Sequence, residues 1–150
     1  MRVILQRVKK ASVMVNNTKF SSIKKGLMIL LGVEHSDDKS DVVWLTRKIC
    51  NLRIFDDENG IMNKSLCDLK AEVLIVSQFT LHALTKKGNR PSYIKAAKNP
   101  YAKKLYQYFI KSMNNYNKIE SKFGSFGENM LVKIENDGPV TLFIDSKNKE

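Results

Sequence analysis

At 150 residues, with 43% hydrophobic and 27% charged side chains, the chain has the length and make-up of one globular domain, 1-150, able to bury roughly 70% of its unfolded surface without metal or disulfide staples. The longest apolar run, 26–33, is far short of the roughly 20 residues a membrane helix needs, and Met1-Arg2-Val3-Ile4-Leu5 leads straight into strand-like sequence, so the expectation is a cytoplasmic protein with no spanning segment and no secretory leader. A net charge of +11 suits a polyanionic partner, because cationic surfaces release counterions from phosphates, but 21 lysines against 5 arginines fit a composition bias equally well.

In chain order, Arg2 to Val8 reads as a first strand, Ala11 to Val15 as a second, and Asn16-Asn17 as the turn after it; Lys19 to Ser22 supplies a short third. Gly26 opens the most hydrophobic strand, Leu27 to Val33, whose lack of alternation predicts burial on both faces of a sheet. Ser36-Asp37-Asp38 offers N-cap candidates for a helix from Asp38 to about Leu52, with Val42, Val43, Leu45, Ile49, Cys50 and Leu52 on its apolar face. Arg53-Ile54-Phe55 predicts a short strand stopped by the turn 56–60, and Ala71 to Val76 a second strongly apolar strand. Asn99-Pro100 reads as an N-cap followed by proline at the first helical position, opening a helix with Tyr101, Leu105, Tyr108, Phe109, Ser112 and Met113 at helical spacing and ending near Asn114-Asn115. The last two strands are Met130 to Glu135 and Val140 to Ile144. Strands with interspersed helices give an α+β class with a mixed or antiparallel sheet.

Cys50 and Cys67 form no Cys-x-x-Cys pair, and with only His35 and His82 besides, no metal site and no cofactor is expected. Ser77, Gln78 and Thr80 cluster where the buried strand emerges, a place where hydroxyl, amide and backbone donors hold an acyl ester and its oxyanion, or merely cap a strand end. Thr80 as a nucleophile requires a base, and continued strand alternation would place His82 on its face. The basic loop 85–92 reads either as a contact to RNA phosphates or as a solvated loop. Between the last two strands stands Asn136-Asp137-Gly138-Pro139-Val140-Thr141. Asp-Gly there suggests a hairpin, yet Pro139 removes an amide donor at the start of the second strand and restricts Gly138.

Asn-Asp-Gly-Pro-Val-Thr at 136–141, preceded some sixty residues earlier by Ser77-Gln78-Phe79-Thr80-Leu81, resembles the D-aminoacyl-tRNA deacylases. The likeness extends to Leu5-Gln6-Arg7-Val8, Leu52-Arg53-Ile54-Phe55, Thr85-Lys86-Lys87-Gly88 with Arg90-Pro91, and Phe126-Gly127 with Met130. It implies a barrel-like sheet packed with helices and a homodimer with active sites at the interface. The implied activity is hydrolysis of D-aminoacyl-tRNA, and of glycine mischarged on tRNA(Ala), to free tRNA and amino acid. In that family the Gly-Pro bond is cis and enters the partner's active site, so the carbonyls of Gly138 and Pro139 would hold the substrate's amino group while an L side chain meets backbone. Arg7 corresponds to the brace of this loop, and Phe126, Gly127 and Met130 to the terminal-adenosine pocket. Two catalytic schemes follow from the resemblance. One makes Thr80 a nucleophile; the other uses backbone groups near Gln78 and Phe79 as an oxyanion hole, with the terminal 2′-hydroxyl assisting water. The second is preferred, because the sequence offers no orienting base for Thr80. Glu128 stands where many relatives have alanine. A reading from another class is a non-catalytic tRNA-binding module of the same fold.

Overall fold

Six strands build one sheet around which everything else is packed, in a computed structural model that describes residues 1–149. The path runs β2 (Thr18–Ile23), β1 (Arg2–Val15), β3 (Gly26–Gly32), β6 (Glu72–Ser77), β7 (Lys122–Phe123), and β8 (Met130–Asp145) pairs with β1 on its remaining side. β4 (Phe55–Asp56) and β5 (Met62–Lys64) form a separate small hairpin. The path curls until its ends meet, with Ser21 Oγ of β2 donating to the Phe123 carbonyl of β7 at 2.9 Å, so the sheet is a nearly closed barrel. The expected α+β class with a barrel-like mixed sheet is what is observed: β1 runs antiparallel to its neighbours, while β3–β6 and β6–β7 are parallel.

The apolar run at 26–33 packs on both faces, as its lack of alternation predicts. Leu27, Ile29 and Leu31 join Val73 and Ile75 beneath α1 (Lys39–Asn51) and α3 (Tyr101–Asn117), while Met28 joins Leu74 and Val76 in a second cluster with Val8, Ala11 and Val13. α1 begins where the acids predict, with the Asp38 carboxylate accepting from the Ser40 and Asp41 amides and Asp41 returning a bond to the Asp38 amide.

Four expectations are corrected. The two N-terminal strands are one 14-residue strand: the exposed Lys9-Lys10 pair looks like a break, but it is where β1 shifts register against β8 and changes the face it buries. The last two strands are likewise one 16-residue strand, because both halves pair with β1, and 136–140 bulges out of it without forming a hairpin. α3 begins at Tyr101 with Pro100 at the N-cap, makes no side-chain cap bond and runs on to Asn117. Strand β4 lies at Phe55–Asp56, overlapping the expected 53–55 only at Phe55, and β5 and the single-turn α2 (Leu66–Leu69) follow it without a signal in the residue pattern. No helix among the described residues is long and apolar enough to cross a membrane.

Candidate active site

Parallel pairing of β6 with β3 sets Ser77 beside Leu31, and the Gln78 amide adds one more bond to the Leu31 carbonyl at 2.8 Å. There the strand stops. Phe79–His82 forms a 3₁₀ turn, closed by the Leu81 amide on the Gln78 carbonyl at 3.4 Å and the Ala83 amide on the Thr80 carbonyl at 3.0 Å. The amides of Phe79 and Thr80 precede the first of these bonds and have no partner within the turn. Gly32 makes the close approach possible: a Cβ there would lie 2.9 Å from the Gln78 carbonyl oxygen and 3.0 Å from the His82 ring.

The turn overrules the expected alternation of Thr80 and His82. Gln78 Nε2 donates to Thr80 Oγ1 at 2.5 Å, whereas His82 is fully buried and neither of its ring nitrogens makes a hydrogen bond. Burial lowers the His82 pKa, and the nearest carboxylate oxygen, on Glu34, is 4.0 Å from Nδ1. His82 therefore makes no hydrogen bond through which it could act as a base for Thr80. Ser77, Gln78 and Phe79 instead form a ridge between two depressions. One, of about 180 Å³, lies under α3 and is lined by Leu31, Ala102, Tyr106, Phe126 and Gly127; the other, of about 250 Å³, adds Glu128, Asn129 and Met130. The expected group Phe126, Gly127 and Met130 is thus brought beside Ser77, Gln78 and Phe79. Tyr106 was missed by the sequence reading. Its hydroxyl donates to the Ile75 carbonyl at 2.8 Å, its ring packs 5.4 Å from that of Phe126, and burial raises its pKa. The signal was present in the Ala102, Tyr106, Phe109, Met113 spacing, which a helix face anchored on the exposed Tyr101 obscures.

Arg7, Gly138 and Pro139 lie elsewhere. Between the Gln6–Thr141 and Val8–Asn136 pairs, β8 carries three more residues than β1, and the surplus protrudes as a bulge with a cis Gly138-Pro139 bond. Arg7, only 6% exposed, sits beneath it. Its Nε donates to the Asp137 carbonyl at 3.3 Å, and its Nη1 to the Ile54 carbonyl at 2.8 Å and the Asp56 carboxylate at 3.0 Å. Gly138 has φ +123°, and a Cβ there would meet Val140 Cγ2 at 2.8 Å and Arg7 Nη2 at 3.1 Å. Within one chain the bulge does not reach the ridge. On β3, Arg7 pairs with Leu27 and Ser77 with Leu31, four residues apart, or about 13 Å along the strand.

A family model described as D-Tyr-tRNA(Tyr) deacylase matches residues 4–145. The chain belongs to this family. Its curated relatives include the D-aminoacyl-tRNA deacylase of Bacteroides fragilis (strain YCH46), 55% identical over 150 residues, and that of Flavobacterium johnsoniae (strain ATCC 17061), 53% identical over 150 residues, each match covering all of both chains. The relatives bearing that name are hydrolases of the aminoacyl-tRNA ester. Among solved structures, the c-Myc DNA Unwinding Element Binding Protein superimposes with a TM-score of 0.90 at 38% identity, covering 97% of this chain and 98% of its own. A probable eukaryotic D-amino acid tRNA deacylase shares the fold at a TM-score of 0.83 and 18% identity, covering 95% and 97%.

Proposed function

We propose that this chain is a cytoplasmic trans-editing hydrolase that cleaves D-aminoacyl-tRNA, and glycine mischarged on tRNA(Ala), to free tRNA and amino acid. In this reading the ester carbonyl rests against the ridge, where the Phe79 and Thr80 amides face the oxygen on which charge develops. The Gln78 amide is already held by Leu31, so the donors move one residue on from the expected pair. Water assisted by the terminal 2′-hydroxyl attacks the carbonyl carbon, the ester C–O bond breaks, and the proton passes to the departing ribose oxygen. The terminal adenosine lies against Phe126, Gly127 and Met130. The chain works as a homodimer, in which the partner's Gly138-Pro139 carbonyls hold the amino group and leave no room for an L side chain.

The observation that carries this reading is the separation of the two motifs. Each chain holds a ridge between two depressions, where Thr80 Oγ1 accepts from Gln78 and His82 makes no hydrogen bond, and, toward the other end of β3, a backbone bulge braced from below by Arg7. The test is deacylation of matched D-tyrosyl- and L-tyrosyl-tRNA by the wild type and Thr80→Ala. Loss of the D ester alone, at similar rates in both proteins, is the expected result. Inactivity confined to Thr80→Ala, with fold and tRNA binding intact, would return the nucleophile scheme. Binding of tRNA with no cleavage of either ester by the wild type would leave the non-catalytic module.

A further inference from the structure

The charge of this chain is unevenly placed. Residues 73–119 contain no aspartate or glutamate, yet hold nine cations: Lys86, Lys87, Arg90, Lys95, Lys98, Lys103, Lys104, Lys111 and Lys118. The rest of the chain carries 17 cations against all 15 acids, and so is close to neutral. A composition bias toward lysine would enrich the whole chain and would not empty a third of it of acids. All nine cations are exposed, and none takes part in a salt bridge among the described residues.

The run is also continuous in space with the site. Ser77, Gln78, Phe79, Asn99, Ala102 and Tyr106, all inside it, line the pocket under α3. Lys95 and Lys98 lie on the loop leading into that helix. Beyond the pocket the helix carries Lys104 and Lys111 at seven-residue spacing, on one solvent-facing stripe about 10 Å apart, and exposed Lys118 stands at its C-cap, just past Asn117. The opposite stripe, with Leu105, Phe109 and Met113, is spent on the core.

We propose that the outer face of α3, with the loop before it, is the track on which the RNA duplex adjoining the acylated 3′ end lies, its phosphates neutralised by Lys104 and Lys111 on the helix and Lys118 at its end. This rests on the functional reading above and goes beyond the expected basic-loop contact by giving the body of the substrate a path. Lysines presented as separate point charges fit a sequence-independent backbone contact, so the track would bind all tRNAs alike and leave selection to the pocket.

The test compares the wild type, Lys104→Glu/Lys111→Glu and the control Lys24→Glu/Lys25→Glu, which makes the same charge change outside the run. Two readouts are taken: anisotropy of labelled, uncharged tRNA across a salt series, and deacylation of D-tyrosyl-tRNA beside D-tyrosyl-adenosine, which has no phosphates. The α3 variant is expected to bind tRNA at least about tenfold more weakly, with a salt slope smaller by about two, and to lose kcat/KM on the tRNA ester only. Unchanged affinity and slope would overturn the track, and so would an equal loss in the control or an equal loss on both esters. If the functional reading fails, neither ester is cleaved by the wild type, yet the anisotropy arm still decides whether α3 carries the RNA.

Discussion

Replacing Arg7 by methionine is expected to cost about 3 kcal/mol of folding stability and to release the 136–140 bulge. The guanidinium gives one bond each to the Ile54 and Asp137 carbonyls, the second long at 3.3 Å. Hydrogen bonds from a charged donor net about 1.5–3 kcal/mol each, so the pair is worth about 3–5, the long bond counting at the low end. The Asp56 carboxylate is 46% exposed, and the Asp137 carboxylate, 3.4 Å from Nε, is 26% exposed, so each ion pair adds only about 0–1 kcal/mol. Methionine keeps much of the apolar stem, and removing a buried charge recovers part of its desolvation cost, which brings the expected loss to about 3 kcal/mol. In a chain of this length that is a fall in Tm of about 6–12 °C. Arg7→Lys keeps the charge but cannot fork between both carbonyls, and should lose about half as much. Urea and thermal unfolding measure the loss, and amide exchange at Asp137, Gly138 and Val140 locates it. A loss below about 1 kcal/mol in Arg7→Met, or faster exchange everywhere except the bulge, would refute the assignment of Arg7 as its anchor.

His82→Leu replaces a buried imidazole with two unbonded nitrogens by an apolar side chain of similar size, and should leave stability equal or higher and D-ester cleavage intact. Because burial lowers the folded pKa, the unfolded chain binds the extra proton first as pH drops below 6.5. Wild-type stability should therefore fall through that range, and the slope should vanish in the variant; loss of cleavage in a folded variant would instead make His82 part of the chemistry. At Asp41 burial pushes the carboxyl pKa up, but bonds from Lys147 at 2.8 Å, Ser146 at 2.7 Å and the Asp38 amide at 2.9 Å bring it down to about 2, from 3.8. With the folded value depressed, its contribution is fully present above 3.8 and lost as pH falls through about 2. The advantage of the wild type over Asp41→Asn in urea midpoint should shrink across that window; an advantage constant through it would contradict the ion-pair reading.

The parts of the fold legible in the sequence are those fixed by neighbours in the chain. Asp38 caps α1 as one of the expected candidates, Asn16-Asn17 adopts the left-handed turn at φ 50° and 60°, and the unbroken run at 26–33 announces two covered faces. What was not legible depends on partners distant in sequence. Lys9-Lys10 looks like a gap because nothing local shows β8 pairing along both halves of β1, on either side of the register shift. Thr80 and His82 were expected to alternate because nothing local shows that β3 ends at Gly32, where the space beside the chain admits a tight turn.

The candidate site divides in the same way. Its residue types are readable, and the Ser77-Gln78-Phe79 ridge does meet Phe126, Gly127 and Met130, because β7 and the loop after it return beside β6. The position of Gly138 and Pro139 is not readable, since register alone puts the bulge on the Leu27 end of β3 and the ridge on the Leu31 end. β8 also pairs with β1 alone, leaving its other edge without a strand among the described residues, and it exposes Leu131 at 57% and Phe143 at 58%. A long unpaired edge bearing apolar side chains is a surface that folded proteins normally cover. The proposed two-fold dimer would answer both facts with one operation: an isologous contact through β8 would cover that edge and bring each bulge to the other chain. A bulge that served only to interrupt strand pairing would need no buried arginine beneath it.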